Sequence, residues 1–264
     1  MKPPPPAIRL MRPSRVACVL GLLALTASGC AFFQGDEPGP TNPMALMSIG
    51  REKLAAKRYS EAKQQFQRVL ETTPDNELRL EALINLADTL YKNREYEEAR
   101  FQYRKFLELF PLHSLAPKAQ FQLAMSSFAE IKTADRDQTV TLEALRQFDR
   151  FLQAYPDHPL VPEAKERRAF CTAQLANHDL VVSRFYYKQG KYHSAITRLS
   201  SLLEQHPGFP GSDEALYLLG QSYRREESIE KAQAAFARLV NEHPKSRYAS
   251  SAKRALAKWR KRGG

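Results

Sequence analysis

Five prolines stand at the ends of five similar stretches, and this recurrence constrains the fold more than any other feature of the chain. Twelve residues before each proline stands an alanine, with large apolar residues four and seven positions after that alanine. The prolines are Pro74, Pro111, Pro156, Pro207 and Pro244; the alanines are Ala62, Ala99, Ala144, Ala195 and Ala232. The apolar residues are Phe66, Tyr103, Phe148, Leu199 and Phe236, then Val69, Phe106, Phe151, Leu202 and Leu239. This spacing marks one face of a helix, and a proline ends a helix. The sequence therefore predicts five repeats of one helical unit.

A second helix precedes each of these stretches. It carries a small residue directly after an apolar one, and the small residues are Gly50, Ala87, Ala124, Ser183 and Gly220. Small residues let two helices approach closely, so each unit is predicted to be a helical hairpin that crosses at this point. The pattern resembles the tetratricopeptide repeat, whose period is about 34 residues.

Two units are longer than the others. A polar segment, Thr133–Thr139, lies inside the third hairpin. The stretch Leu160–Lys188 has its only proline, Pro162, in the first turn, where proline is tolerated. We predict one long helix there, joining three N-terminal hairpins to two C-terminal ones. The expected fold is all-α: a right-handed α-solenoid of five tetratricopeptide-like hairpins, in two lobes joined by the long helix.

The first residues have the features of a secretory signal peptide: basic residues, a short apolar run and a small-residue cleavage site. The apolar run, 16–27, is shorter than the roughly 20 residues that span a bilayer. The segment Ala27–Cys30 resembles the lipobox of bacterial lipoproteins. That resemblance implies cleavage before Cys30 and covalent N-palmitoyl and S-diacylglycerol groups on it. An ordinary secreted protein with an incidental cysteine is the alternative.

These features divide the chain. We expect a removed signal peptide (1–29), a lipidated cysteine with a flexible tether (30–43) and N-terminal repeats 1–3 (44–158). The long helix, repeats 4–5 and a capping helix follow (159–264). Cleavage removes four basic and no acidic residues, which lowers the net charge from +11 to +7. Ala31, and not Asp, follows Cys30, and this resembles the sorting rule for outer-membrane lipoproteins. The expected location is the outer membrane, facing the periplasm.

No catalytic constellation is present in the sequence. Cys171 has no histidine beside it and is predicted to be a buried structural thiol. The histidines lack a zinc-ligand spacing, and there is no nucleophile elbow, phosphate-binding loop or dinucleotide fingerprint. We therefore expect a non-enzymatic protein without a metal or cofactor, apart from the acyl groups on Cys30.

Basic residues crowd the C-terminus around Trp259. They are Lys253, Arg254, Lys258, Arg260, Lys261 and Arg262. A solvated capping helix with cations near its C-terminal end explains them, and contact with an acidic partner or lipid headgroups is the alternative. We do not expect a nucleic-acid partner for an exported lipoprotein.

Repeat stacks bind peptides or folded proteins on an extended surface. Residues on the first helices, away from the crossing stripe, are the candidates for a substrate-peptide groove. In the first three hairpins they are Arg51, Ile84, Asp88, Tyr91, Phe121, Met125 and Phe128. Such a groove would suit an extended peptide with an aromatic residue. The alternative is that Phe121, Met125 and Phe128 pack against the next hairpin.

Two segments resemble the BamD family, outer-membrane lipoproteins of the β-barrel assembly machinery. They are Asp135–Gln138 and Ser183–Tyr192, the latter followed by Ala195–Leu199. The resemblance implies a non-enzymatic subunit that receives unfolded barrel proteins on its N-terminal repeats. It also implies C-terminal repeats docked on the periplasmic domains of a BamA-type barrel subunit, with other assembly lipoproteins as further candidate partners. For that partner face we predict the basic positions Lys191, Arg198 and Arg225.

Two other classes of protein compete with this interpretation. A pilotin-like repeat lipoprotein that assists secretin targeting would share the anchor and the repeats. It would not be expected to share the long helix or the two segments. A peptidoglycan-acting enzyme would need a catalytic domain, for which the repeats leave no room.

Overall fold

The computed structural model describes residues 42–261, which form eleven helices and no strand. The helices are α1 Pro43–Ala55, α2 Tyr59–Thr72, α3 Asn76–Lys92, α4 Tyr96–Leu109, α5 Ala116–Phe128, α6 Thr139–Ala154, α7 Val161–Lys188, α8 Tyr192–Gln205, α9 Ser212–Arg225, α10 Ile229–Glu242 and α11 Ala249–Arg260. Each helix packs mainly against the next helix along the chain, as expected for a stack of repeats. Helices α1 to α10 pair into five hairpins, and α11 follows the fifth. The predicted all-α stack of tetratricopeptide-like hairpins is confirmed.

The hairpins cross where the sequence predicts. All the repeated alanines and large apolar residues of the second helices are no more than 1% exposed. A Cβ added to Gly50 would lie 2.6 Å from Phe66 Cε1, and one added to Gly220 would lie 2.6 Å from Phe236 Cε1. The other three small residues are fully buried as well: Ala87, Ala124 and Ser183. The small residue of the first helix therefore makes room for the bulky residue of the second.

Four of the hairpins share one tight turn. Its middle residue is left-handed in each: Lys57 (φ 60°), Arg94 (φ 65°), Gly190 (φ 73°) and Glu227 (φ 58°). The following residue donates its N–H to a carbonyl of the first helix; in the fifth hairpin, Ser228 donates to Tyr223 at 2.9 Å. This closes the helix end as in a Schellman motif. The prediction that a proline ends each second helix is confirmed, and the helix end lies two residues before the proline in every hairpin.

The third hairpin is connected differently. Residues 129–138 link α5 to α6, a longer segment than the predicted insertion Thr133–Thr139, because α5 already ends at Phe128. The Gln138 side chain is 6% exposed. Its Nε2 donates to the carbonyls of Thr133 and Arg136, both at 2.9 Å, and its Oε1 accepts from the Thr141 hydroxyl at 2.8 Å. One buried amide thus holds the connection closed.

The predicted long helix is α7, which extends over 28 residues. Ala164 and Cys171 in its first half belong to a core cluster shared with α5 and α6. Ala176 and Leu180 in its second half belong to the core of the C-terminal hairpins. A single helix therefore joins the three N-terminal hairpins to the two C-terminal ones.

The predicted signal peptide, Cys30 and most of the tether lie outside the described residues. Between residues 42 and 261, no helix combines the length and apolar character needed to cross a bilayer.

Candidate functional site

The predicted groove residues lie on the first helices of three hairpins, but they do not form one open surface. Arg51 is exposed on α1 and forms an ion pair with Glu81. Ile84 is 6% exposed and belongs to the core shared by α1 to α5. Phe121 is 4% exposed and packs edge-on against two rings of α6. The expectation that Ile84 and Phe121 line a groove is therefore wrong, because both side chains are used in packing between neighbouring helices.

Asp88 is occupied by contacts within the protein. The buried Tyr103 hydroxyl donates to its Oδ1 at 2.6 Å, and Lys118 Nζ donates to its Oδ2 at 3.0 Å. Burial, and then the Asp88 carboxylate, raise the pKa of the Tyr103 phenol. Asp88 thus fastens α3 to α4 and α5.

Two of the remaining predicted residues, Phe128 and Met125, lie in or beside an aromatic–arginine cluster, which we define as Phe128, Arg167 and Phe170. The Phe128 and Phe170 ring centroids are 5.2 Å apart, and the Arg167 guanidinium lies 5.3 Å from the Phe128 ring centroid. Tyr91 packs edge-on against Tyr96, with ring centroids 5.5 Å apart, and burial is the main cause that raises the pKa of its phenol. Met125 is half-buried against the same core as Phe128.

This cluster has the chemistry of a peptide site. Phe170 is 50% exposed, so its ring is available to a ligand. Arg167 Nη2 donates to Glu163 Oε1 at 3.4 Å, and Arg167 Nε is buried without a hydrogen-bond partner among the described residues. An aromatic face beside a guanidinium suits an aromatic side chain together with a carboxylate.

Sequence reasoning missed Arg167 and Phe170 because it searched only the first three hairpins. Both residues lie on α7, which is the first helix of the fourth hairpin as well as the joining helix. If α7 is counted as a further first helix, Arg167 and Phe170 are among the candidate residues.

Of the predicted partner residues, Lys191 lies in the turn between α7 and α8, Arg198 lies in the middle of α8, and Arg225 ends α9. The Arg198 guanidinium lies 5.6 Å from the Tyr186 ring centroid, and that of Arg225 lies 5.9 Å from the Tyr192 ring centroid. We call these four residues the Tyr–Arg surface. Lys191 is exposed at the N-cap of α8. Arg198 also forms an ion pair with Asp179 at 3.8 Å.

The described residues contain no group of three or more histidine, cysteine, aspartate or glutamate side chains that could hold a metal ion. Cys171 is fully buried, and burial raises the pKa of its thiol to about 12. Since the thiolate is the reactive form of cysteine, this thiol is a packing group, as predicted.

Stacked hairpins of this kind define a tetratricopeptide-like scaffold, a non-enzymatic class of binding protein. The chain belongs to the YfiO family, described as outer membrane lipoproteins, whose family model matches residues 40–235.

Two similar proteins carry the name outer membrane protein assembly factor BamD. The protein from Caulobacter vibrioides is 28% identical over 208 residues, which cover 76% of this chain and 67% of that relative. The protein from Pasteurella multocida is 22% identical over 225 residues, covering 81% and 86%. A solved tetratricopeptide repeat protein from Thermus thermophilus aligns with 82% of this chain and 100% of its own, at 18% identity and a TM-score of 0.36.

Proposed function

We propose that this protein is a lipid-anchored scaffold of outer-membrane β-barrel assembly. It receives unfolded barrel proteins on its N-terminal hairpins together with the first half of α7, and it supports the barrel-forming subunit through its C-terminal hairpins. Membership of an outer membrane lipoprotein family and two relatives named as assembly factors support this proposal. A repeat scaffold without a metal cluster in its described part suits a binding role.

Cys30 supplies the anchor in this proposal. One acyl chain binds a membrane only marginally, whereas two or more hold it stably. A diacylglycerol thioether and an N-palmitoyl group on Cys30 would hold the hairpins at the periplasmic face of the outer membrane. Mass spectrometry of the N-terminal peptide tests this, and a mature chain without acyl groups would contradict it.

The aromatic–arginine cluster is the observation that carries the substrate part of the proposal. Phe170 offers an exposed ring, and Arg167 offers a cation over the neighbouring Phe128 ring. An unfolded barrel protein exposes aromatic side chains along extended segments, and such a segment can place a ring against Phe170. A nearby carboxylate of the same segment can then accept hydrogen bonds from Arg167.

Crosslinking of an unfolded barrel protein to the purified, full-length chain tests this site. We expect Phe170→Ser together with Arg167→Gln to reduce crosslinking at least about tenfold, since a ring contact and a charged hydrogen bond are both lost. The matched control is Phe101→Ser, which removes a ring that is 59% exposed on α4. Equal loss from both variants, or no loss from either, would contradict the assignment.

The Tyr–Arg surface is the proposed contact for the barrel-forming subunit. Its guanidinium groups lie over tyrosine rings, and arginine and tyrosine are enriched at the energetic centres of interfaces. Such a surface suits a partner with acidic side chains.

A pull-down of the tagged chain from detergent-solubilised membranes tests this contact. We expect recovery of a large barrel protein with periplasmic domains, and its loss when Arg198→Glu is combined with Arg225→Glu. The control pair, Arg146→Glu with Arg150→Glu, reverses two exposed charges on α6 and should leave recovery unchanged. Recovery of a secretin in place of the barrel protein would make this chain a pilotin and overturn the proposal.

A further inference from the structure

The pair of an apolar and a small residue that marks every hairpin crossing occurs a sixth time, in α11. Leu256 and Ala257 stand 37 residues after Leu219 and Gly220. In the fifth hairpin, Gly220 receives the Phe236 ring of α10. In this register, α11 is the first helix of a sixth hairpin, with Ala257 at its crossing point.

The crossing face of α11 is uncovered in the part of the chain that the structure describes. On α9, Leu216 is 1% and Leu219 is 8% exposed, because α10 covers them. The residues in the same register on α11 are the exposed Lys253 and the half-buried Leu256. Ala257 is also exposed, whereas Gly220 is buried.

A groove lies along this face. It has a volume of about 350 Å³ and is lined by Ala237 and Val240 of α10 together with Leu256, Ala257 and Arg260 of α11. It continues past Ala237 and Leu256 into a second hollow of about 540 Å³. The groove therefore runs along the face of α11 that the second helix of a sixth hairpin would cover.

Charge distinguishes this face from the earlier crossings. Helix α11 contains no acidic residue. Its exposed basic residues and the one that follows it are Lys253, Arg254, Lys258, Arg260 and Lys261. None of them forms an ion pair with another residue between 42 and 261. Lys253 occupies the register position of the buried Leu216, so whatever covers it must supply a carboxylate to avoid burying an unpaired charge.

We propose that this groove binds an acidic amphipathic helix of a partner protein, which completes a sixth hairpin in trans. The helix places a large apolar residue against Ala257, as Phe236 packs against Gly220, and carboxylates opposite Lys253 and Arg260. Helix-in-groove binding of this kind uses apolar anchors three and four residues apart. The inference rests on repeat register and charge, and does not depend on the proposed role in barrel assembly.

A synthetic peptide of about 15 residues is the probe, a length at which an isolated helix begins to be stable. In its sequence, Phe stands four residues after Ala, and Leu stands three residues after Phe, which is the apolar spacing of α10. Glutamates lie on both sides of this apolar stripe. Binding to the full-length protein in detergent is followed by anisotropy of the labelled peptide and by the fluorescence of Trp259. This is the only tryptophan, and its ring lies 5.9 Å from that of Phe236.

Three variants separate the contributions. Lys253→Glu with Arg260→Glu should weaken binding at least about tenfold, because two attractive charge contacts become repulsive. Ala257→Phe should abolish binding by filling the crossing point, and the exposure of Ala257 allows this variant to fold. Lys105→Glu, an exposed charge reversal on α4, should leave binding unchanged.

Two results would overturn the inference. Equal binding of a peptide whose Phe and Leu are replaced by Gln would show charge attraction without a helix-shaped site. The second result concerns vesicles that contain phosphatidylglycerol. The surface would be assigned to lipid headgroups if the protein binds these vesicles but not the peptide, and if vesicle binding is abolished by Lys253→Glu with Arg260→Glu but unchanged by Ala257→Phe. Crosslinking at Phe170 is measured on the same variants, so a failure here is distinguishable from a failure of the proposed function.

Discussion

The third and fifth hairpins have the same crossing but different connections. In the fifth, residues 226–228 form a three-residue turn; in the third, residues 129–138 form a long polar connection. Yet Phe148 and Phe236 are both fully buried at equivalent crossing positions. The packing face of the two helices therefore determines the hairpin, and the connection is free to take on another role.

In the third hairpin that role is to hold the long helix. Gln174 Nε2 of α7 donates to the Lys132 carbonyl at 2.7 Å, and His178 Nδ1 lies 2.7 Å from the Ala134 carbonyl oxygen. The connection thus contacts the middle of α7, between the part that packs with α5 and α6 and the part that packs with the C-terminal hairpins. A tight turn could not reach this part of α7.

The largest expected effect comes from removing the bulky residue at the crossing. Phe236→Ala and Phe148→Ala should each destabilise the protein by about 3–5 kcal/mol, because each opens a cavity where a fully buried ring had packed. Urea unfolding of both variants measures this. A large loss of stability for Phe236→Ala but a small one for Phe148→Ala would contradict the equivalence of the two hairpins, since the long connection would then stabilise the third hairpin.

The small residue at the crossing should show the next largest effect. Gly220→Ala places a Cβ 2.6 Å from Phe236 Cε1, and we expect it to cost about 1–3 kcal/mol through overpacking. Ala124 occupies the same position in the third hairpin, where a Cβ is already accommodated. Thermal unfolding of Gly220→Ala beside Ala124→Gly measures the difference. An unchanged melting temperature for Gly220→Ala would show that Phe236 can shift freely.

Loss of the buried amide in the third connection should have a smaller and more local effect. Gln138→Ala removes three hydrogen bonds, two of them to carbonyls that water can reach, and should cost about 1 kcal/mol. Hydrogen exchange should rise in residues 129–138 and in the facing part of α7. Faster exchange in α9 and α10 as well would mean that the connection stabilises the whole stack.

The smallest expected effect comes from the turn of the fifth hairpin. Glu227 has a φ of 58°, a conformation that costs a residue with a side chain about 1–2 kcal/mol. Because glycine loses more chain entropy on folding, Glu227→Gly should stabilise the protein by only about 0.5 kcal/mol. Gly190→Ala, in the equivalent turn of the fourth hairpin, is the reverse experiment and should destabilise. Chemical denaturation measures the stability of both variants. If both substitutions stabilise the protein, or both destabilise it, the explanation by a left-handed turn is contradicted.

Most of the helical framework could be predicted from the sequence. Each second helix ends two residues before its proline, and α7 begins one residue after the predicted start at Leu160. These features depend on local rules: apolar spacing, proline and small residues at crossings. The predicted connection between α5 and α6 was too short, because no residue in Ala129–Lys132 is by itself a signal for a helix end.

The candidate site was predicted less well. Periodicity placed Phe121 and Phe128 on the same helix, but it did not show that Phe121 would be buried within its own hairpin while Phe128 would lie against the next helix, α7. Phe121 is buried against α6, whereas Phe128 lies beside Arg167 and Phe170. Those last two residues lie 39 and 42 positions along the chain from Phe128. No local pattern connects them.

The sequence by itself determined the repeating hairpins, their crossing residues and the long joining helix, because each depends on the spacing of nearby residues. Only the tertiary structure decided which aromatic rings are buried, how the third connection holds α7, and which helix face is left uncovered at α11. Burial depends on contacts between residues distant in sequence, and those contacts form only when neighbouring hairpins stack.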